Sequence, residues 1–151
     1  MIINGWKLHL PTQHNHSLTA MKPIILLVED DEDDISFFKD ALLEICPKCD
    51  FLYAHHGLEA IKKLNLLNPV KPHFIFVDLN MPIMNGYEFV KEIKNNKNWK
   101  DIPVYVLSTS SDGQVKEQSL KIGATKFYTK PVKTEDLKVL ISNATGILLE
   151  H

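Results

Sequence analysis

Residues 24–34 read Ile-Ile-Leu-Leu-Val-Glu-Asp-Asp-Glu-Asp-Asp, five apolar residues running directly into six carboxylates. An unbroken apolar run of this kind reads as a strand covered on both faces, as in a parallel sheet. The acidic run that ends it makes one strongly negative spot on the chain. Whatever chemistry the protein performs is therefore sought first where that strand stops.

Working outward, the chain alternates in type. Residues 33–46 place Ile35, Phe38, Leu42 and Ile45 at helical spacing. Residues 51–54 are a second strand, and Leu58, Ile61, Leu64 and Leu67 mark a second helix. Residues 74–77 are a third strand, followed by a helix marked by Tyr87, Val90 and Ile93. Residues 104–107, led by Pro103, form a fourth strand. A weaker helix over about 113–122 stops at Gly123, as suits a left-handed C-terminal cap. Residues 125–129 are the fifth strand. A last helix carries Leu137, Leu140 and Ile141, with Thr134 as its N-cap. Five strand–helix units in strict alternation predict an α/β fold: a doubly wound, five-stranded parallel sheet with helices on both faces.

Composition narrows the function. With 151 residues, 44% hydrophobic and 24% charged, the chain supports one globular domain. Its longest apolar run is far short of the roughly 20 residues that span a bilayer, and no secretory signal pattern opens it. A cytoplasmic protein with no membrane segment is expected. All 17 basic residues are Lys, which disfavours the bidentate recognition of phosphate or guanine that Arg provides, and no basic stripe with interleaved aromatics appears. No nucleic-acid role is expected.

Residues 1–20 show no sustained period, and His9, His14 and His16 match no metal-site spacing; they are read as an N-terminal extension or leader. Met21 opens a domain over 21–148, and 149–151 resembles the remnant of a vector-derived tag. Cys46-Pro-Lys-Cys49 could be a redox pair, or half of a zinc site completed by His55 and His56. Two reduced thiols are the preferred reading.

In parallel α/β sheets, ligands sit at the carboxyl ends of the strands. Here the first strand ends in Glu29-Asp30, the third in Asp78, the fourth in Ser108-Thr109 and the fifth in Lys130-Pro131. Carboxylates crowded on one rim stay charged only beside a cation. Mg²⁺, which takes one or two carboxylates together with waters and phosphate oxygens, fits. A hydroxyl and an ammonium can bind the remaining oxygens of a phosphoryl group, and an aspartate can act as its acceptor. The strand ends thus point to Mg²⁺-dependent phosphorylation of an aspartate.

Four segments, Ile-Leu-Leu-Val-Glu-Asp-Asp, Val-Asp-Leu-Asn-Met-Pro-Ile-Met-Asn-Gly, Pro-Val-Tyr-Val-Leu-Ser-Thr-Ser and Phe-Tyr-Thr-Lys-Pro-Val, fall in order on those strand ends. Together they resemble the receiver domain of two-component response regulators, the flavodoxin-like (βα)5 fold of the chemotaxis response regulator, over about residues 22–146. The resemblance implies Asp78 as phosphoacceptor. It implies Glu29, Asp30 and Asp78 as metal ligands, with the backbone carbonyl of Asn80. It makes Ser108 the switch hydroxyl, Lys130 the lysine that pairs with the phosphoryl group, and Phe127 the switch aromatic. Asn80 and Ser110 fall on the positions that tune phosphoryl lifetime. Pro131 commonly follows a cis bond in such proteins. Asp31 extends the acidic cluster without being a ligand.

The implied partners are a sensor histidine kinase or phosphotransfer protein and a downstream protein that reads the face of the fourth helix, fifth strand and fifth helix. A homodimer is compatible with the pattern. Little sequence follows the last helix, so a receiver without an output domain is expected. Residues 95–103, the loop around Cys46, and Leu107–Ser110 resemble the small regulators that serve bacteriophytochrome-type kinases.

Plainer readings stand beside these. Asp33 and Asp34 read as solvated charges or as favourable charges at a helix N-terminus. Ser110 is the better cap candidate for the fourth helix, Phe127 fits a plain core position equally well, and His55 and His56 receive no role. Two alternative functions also stand: a receiver-like docking module that is never phosphorylated, and an aspartate-nucleophile phosphatase of the haloacid dehalogenase type. The second needs an acid–base Asp where this chain has Asn80.

Overall fold

In the computed structural model the described residues are 22–149, together with two short strands near the start, β1 (Ile2–Ile3) and β2 (Trp6–Lys7). These two pair antiparallel, Ile2 opposite Lys7 and Ile3 opposite Trp6. The sequence reading missed them because two residues are too few to show a period. His9, His14 and His16 lie outside the described residues, as do Glu150 and His151.

From β3 (Ile24–Val28) onward the alternation is as expected: α1 (Glu32–Ile45), β4 (Asp50–Ala54), α2 (Gly57–Leu67), β5 (Phe74–Asp78), α3 (Gly86–Asn95), β6 (Val104–Ser108), α4 (Gly113–Lys121), β7 (Lys126–Thr129) and α5 (Thr134–Thr145). The five strands from β3 form one parallel sheet in the order β4-β3-β5-β6-β7. The chain winds outward in both directions from β3, so its topological switch point lies between β3 and β5.

Alternation along β3 divides the core. Ile24, Leu26 and Val28 point to the layer holding Ala60, Leu64, Leu67, Phe89, Val90 and Ile93 of α2 and α3. Ile25 and Leu27 point to Ile35, Phe38 and Leu42 of α1 and Leu137 and Ile141 of α5. Every β3 residue is buried, which explains why its apolar run is unbroken. Phe76, fully buried in β5, has its ring 5.0 Å from Phe38 and 5.2 Å from Tyr105. Deleting such a ring costs about 3–5 kcal/mol.

Several local expectations are corrected. The buried stripe of α2 is Gly57, Ala60, Leu64 and Leu67, while Leu58 is exposed and Ile61 only partly buried. Gly57 sets this rotation: its N–H bonds the Met84 carbonyl at 3.1 Å, and a Cβ there would meet Met84 Cγ at 2.6 Å. Lys133, not Thr134, occupies the N-cap position of α5, because the Lys133 carbonyl already accepts from Leu137 N–H at 3.1 Å; its side chain makes no capping bond. Helix α4 is capped by Asp112, whose carboxylate accepts from Gln114 N–H at 2.8 Å; Ser110 instead accepts from Asp112 N–H one step upstream. Gly123 does take the positive φ expected of it, +114°.

Cys46 and Cys49 are joined as a disulfide rather than held as two thiols. The turn after α1 returns Cys49 N–H to the Cys46 carbonyl at 3.1 Å and brings the Cα atoms to 5.4 Å, inside the bridging range. The zinc alternative fails on topology, since Cys49 precedes β4 and His55 follows it, roughly 16 Å of strand away. The cis X–Pro bond among the described residues is Asn68–Pro69, not Lys130–Pro131. With the Lys130–Pro131 bond trans, the Lys130 ammonium still reaches back to Glu29. Leu149, read as the start of a tag, packs against the α1–α5 core layer. Among the described residues no helix is long and apolar enough to cross a membrane.

Candidate functional site

The switch point brings the predicted strand ends together. Val28 pairs with Val77 across β3 and β5, so Glu29 and Asp30 leave one strand beside Asp78 on the next. Asp78 pairs with Leu107, which places Ser108 one residue further along β6. Ser108 pairs with Thr129, and Lys130 N–H donates to the Ser108 carbonyl at 2.7 Å, which fixes the base of the lysine.

Glu29, Asp30 and Asp78 each present a carboxylate oxygen, all within 4.8 Å of one another. Glu29 and Asp78 are buried and Asp30 is exposed. Burial pushes the Glu29 carboxyl up to about 7; the Asp78 charge adds to this, while the hydrogen bond from Lys130 opposes it. Burial likewise raises Asp78, against the pull of Lys130 and of the Asn80 backbone N–H and with the push of Asp30. Burial is thus the main reason both carboxyls are raised, with the charge of a neighbouring carboxylate adding to it. The donor set of the three, oxygens only on two buried residues and one open to solvent, fits a hard divalent ion that keeps several waters.

Lys130 supplies the local positive charge. Its Nζ is 2.8 Å from Glu29 Oε2, 3.0 Å from Asp34 Oδ2 and 3.5 Å from Asp78 Oδ1. Burial works against the ammonium, but bonds to Glu29 and Asp34 and the nearby Asp78 charge outweigh it and hold Lys130 above the ordinary lysine range. Glu29 also accepts from Asp31 N–H at 3.2 Å, so its carboxylate is held from two sides.

The buried Ser108 hydroxyl accepts from Ser110 N–H at 3.1 Å, which uses an oxygen lone pair and not the hydroxyl hydrogen. Phe127 is half-buried and packs with Val115 and Ile122 against the α2–α3 core layer. Asn80 is exposed two residues past Asp78, its N–H directed to the Asp78 carboxylate.

Three residues that sequence reasoning left out of the site hold it in shape. Asp34, read as solvated charge or as a favourable charge at a helix N-terminus, lies in the first turn of α1 and is also bonded to Lys130. Asp31 is the N-cap of α1, accepting from Asp33 and Asp34 N–H at 2.8 and 3.1 Å. His55 bridges two carboxylates, with Nε2 2.7 Å from Glu32 and Nδ1 3.1 Å from Glu59, which ties α1 to α2 over the end of β4. Its neighbour His56 caps α2 through Nδ1, which accepts from Glu59 N–H at 3.2 Å. The Asp31 cap was legible in the run of acids before a helix, and the His55–Glu59 pair in its spacing of four; the Asp34–Lys130 and His55–Glu32 contacts join distant segments and left no sequence signal.

The chain matches the response regulator receiver domain family over residues 25–142. It is 31% identical over 122 residues to chemotaxis protein CheY1 of Helicobacter pylori, covering 81% of this chain and 96% of that one. It is 29% identical over 123 residues to hybrid signal transduction histidine kinase D of Dictyostelium discoideum, of which it spans 8%. The phosphorylated cyanobacterial phytochrome response regulator RcpA superimposes with a TM-score of 0.76 at 28% identity, covering 87% of this chain and all of that structure. The protein belongs to the receiver domain family of two-component response regulators. Receiver domains are phosphoryl-accepting switches rather than conventional enzymes; they take phosphoryl groups from histidine kinases and act on downstream partners.

Proposed function

We propose that this receiver accepts a phosphoryl group on Asp78 and that Glu29, Asp30 and Asp78, with the Asn80 carbonyl, hold the Mg²⁺ that accompanies it. The observation that carries this reading is the convergence of three carboxylates within 4.8 Å, with a largely buried lysine bonded into the same cluster. A magnesium ion bound there neutralises charge on the phosphoryl oxygens. An Asp78 oxygen attacks the phosphorus of a phosphohistidine in line. The new O–P bond forms as the P–N bond breaks, and the imidazole departs with its electron pair. Lys130 pairs with one phosphoryl oxygen, and Ser108 turns its hydroxyl hydrogen toward another. The gain is electrostatic: donors already in place stabilise charge that appears during transfer.

Ser108 and Lys130 are joined through the β6–β7 backbone, so movement at the hydroxyl reaches the strand that carries Phe127. Phosphorylation then acts as a bias on a two-state face of α4, β7 and α5. The donor is a sensor histidine kinase or phosphotransfer protein; the likeness to RcpA, described as a phytochrome response regulator, supports a kinase of that class. The receiver unit runs over residues 21–148. Intact mass after incubation with acetyl phosphate and Mg²⁺ tests the reading. One phosphoryl adduct, not formed when Mg²⁺ is chelated beforehand and missing from Asp78→Ala, supports it; an adduct that forms in Asp78→Ala refutes it.

A further inference from the structure

Lys130 is bonded to a carboxylate that belongs to neither the metal cluster nor the acceptor. Asp34 lies in the first turn of α1, outside the group formed by Glu29, Asp30 and Asp78. Its Oδ2 is 3.0 Å from Lys130 Nζ, closer than the 3.5 Å from that ammonium to Asp78. The side chain of Asp34 is 44% exposed while that of Lys130 is 17% exposed, so the pair spans the boundary between the site and solvent. Lys130 and Asp34 also border a small cavity of about 30 Å³, with an apolar wall that includes Leu27, Phe38, Leu107 and Leu137. The ammonium therefore has three carboxylates within reach, those of Glu29, Asp34 and Asp78.

We propose, resting on the assignment of Asp78 as phosphoacceptor, that Asp34 is a positioning residue for Lys130: it draws the ammonium away from the acceptor and so restrains phosphoryl transfer. A phosphoryl group on Asp78 must take Lys130 from Asp34 to gain its charge. Asp34 does not touch the phosphoryl group; it acts through the lysine. Its place on α1 also makes this restraint a property of the helix and not of the strand ends. Glu29 holds the same ammonium at 2.8 Å but is buried and part of the metal cluster, whereas Asp34 lies outside that cluster.

The test is the rate of phosphorylation by acetyl phosphate at saturating Mg²⁺, read by intact mass in the parent, Asp34→Asn, Asp34→Glu, Lys130→Ala and Asp34→Asn combined with Lys130→Ala. Asp34→Asn keeps the shape and removes the charge. Its rate is expected to rise about two- to fivefold, the scale of one partly exposed ion pair, and Asp34→Glu is expected to return toward the parent. In the Lys130→Ala background the same substitution is expected to lose most of that gain. An equal gain in both backgrounds means a general charge effect and overturns the role assigned to Lys130. An unchanged rate in Asp34→Asn, with the parent labelled on Asp78, overturns the inference alone. A parent that takes no label overturns the phosphoacceptor reading and the inference with it.

Discussion

Gly86 stands against the backbone of Asp78. A Cβ placed on Gly86 would lie 2.3 Å from the Asp78 carbonyl oxygen and 2.6 Å from Leu79 Cα, and Gly86 N–H donates to the Leu79 carbonyl at 3.0 Å. Helix α3 therefore begins in contact with the strand end that carries the acceptor. Asn85 secures that beginning, its side chain accepting from Glu88 N–H at 3.0 Å in a capping box.

Gly86→Ala is expected to push the start of α3 away from Asp78. Backbone cannot yield as a flexible side chain does, so a destabilisation of about 1–3 kcal/mol is expected, with phosphorylation slowed in parallel. Urea unfolding and the acetyl phosphate rate check the two effects together. An alanine variant that matches the parent in both would show that this contact does not position the acceptor.

Glu29→Gln tests the metal cluster. The amide keeps a hydrogen-bond acceptor for Asp31 N–H but removes the buried charge beside Asp30 and Asp78. Mg²⁺ affinity, measured by calorimetry, is expected to fall about tenfold or more, as when a ligand or its immediate support is lost. Asp33→Asn, two residues beyond the N-cap of α1 and outside the cluster, is expected to bind Mg²⁺ as the parent does.

His55 gives the fold a pH dependence. Burial disfavours the charged ring, but the Glu32 and Glu59 carboxylates outweigh it and raise its pKa above the ordinary histidine value. A raised histidine pKa means the folded state holds the proton more tightly than the unfolded chain. The stabilisation is thus fully present below the unfolded pKa and is lost as pH rises through the folded one. The ring is 39% exposed, so the contribution stays below about 1 kcal/mol. The stability gap between parent and His55→Gln is expected to be larger near about pH 5.5 than near about pH 8.5. A gap that is constant, or that widens with pH, would contradict the bridge.

The sheet was legible because its signals are local. The β3 run needs no partner to be recognised as doubly covered, and each strand end displays its functional residue in sequence. The strand ends at Glu29, Asp78, Ser108 and Lys130 do meet on one rim, as the alternation implies. What sequence reading lost are contacts whose partners lie far apart along the chain. Asp34 and Lys130 are 96 residues apart, and His55 and Glu32 are 23. The α2 stripe was misjudged for a related reason: Leu58 is more apolar than Gly57, yet Gly57 faces inward because Met84 leaves no room for a side chain. Cys46 and Cys49 went to the wrong state because spacing does not reveal whether a turn brings two sulfurs together.

The most direct measurement is the residue that carries the phosphoryl group. An acyl phosphate is reduced by borohydride to the alcohol, so phosphorylated, reduced and digested protein is expected to show homoserine in place of Asp78 and at no other position. Homoserine at another aspartate, or a phosphoryl adduct that yields none, would contradict the assignment of Asp78 as the acceptor.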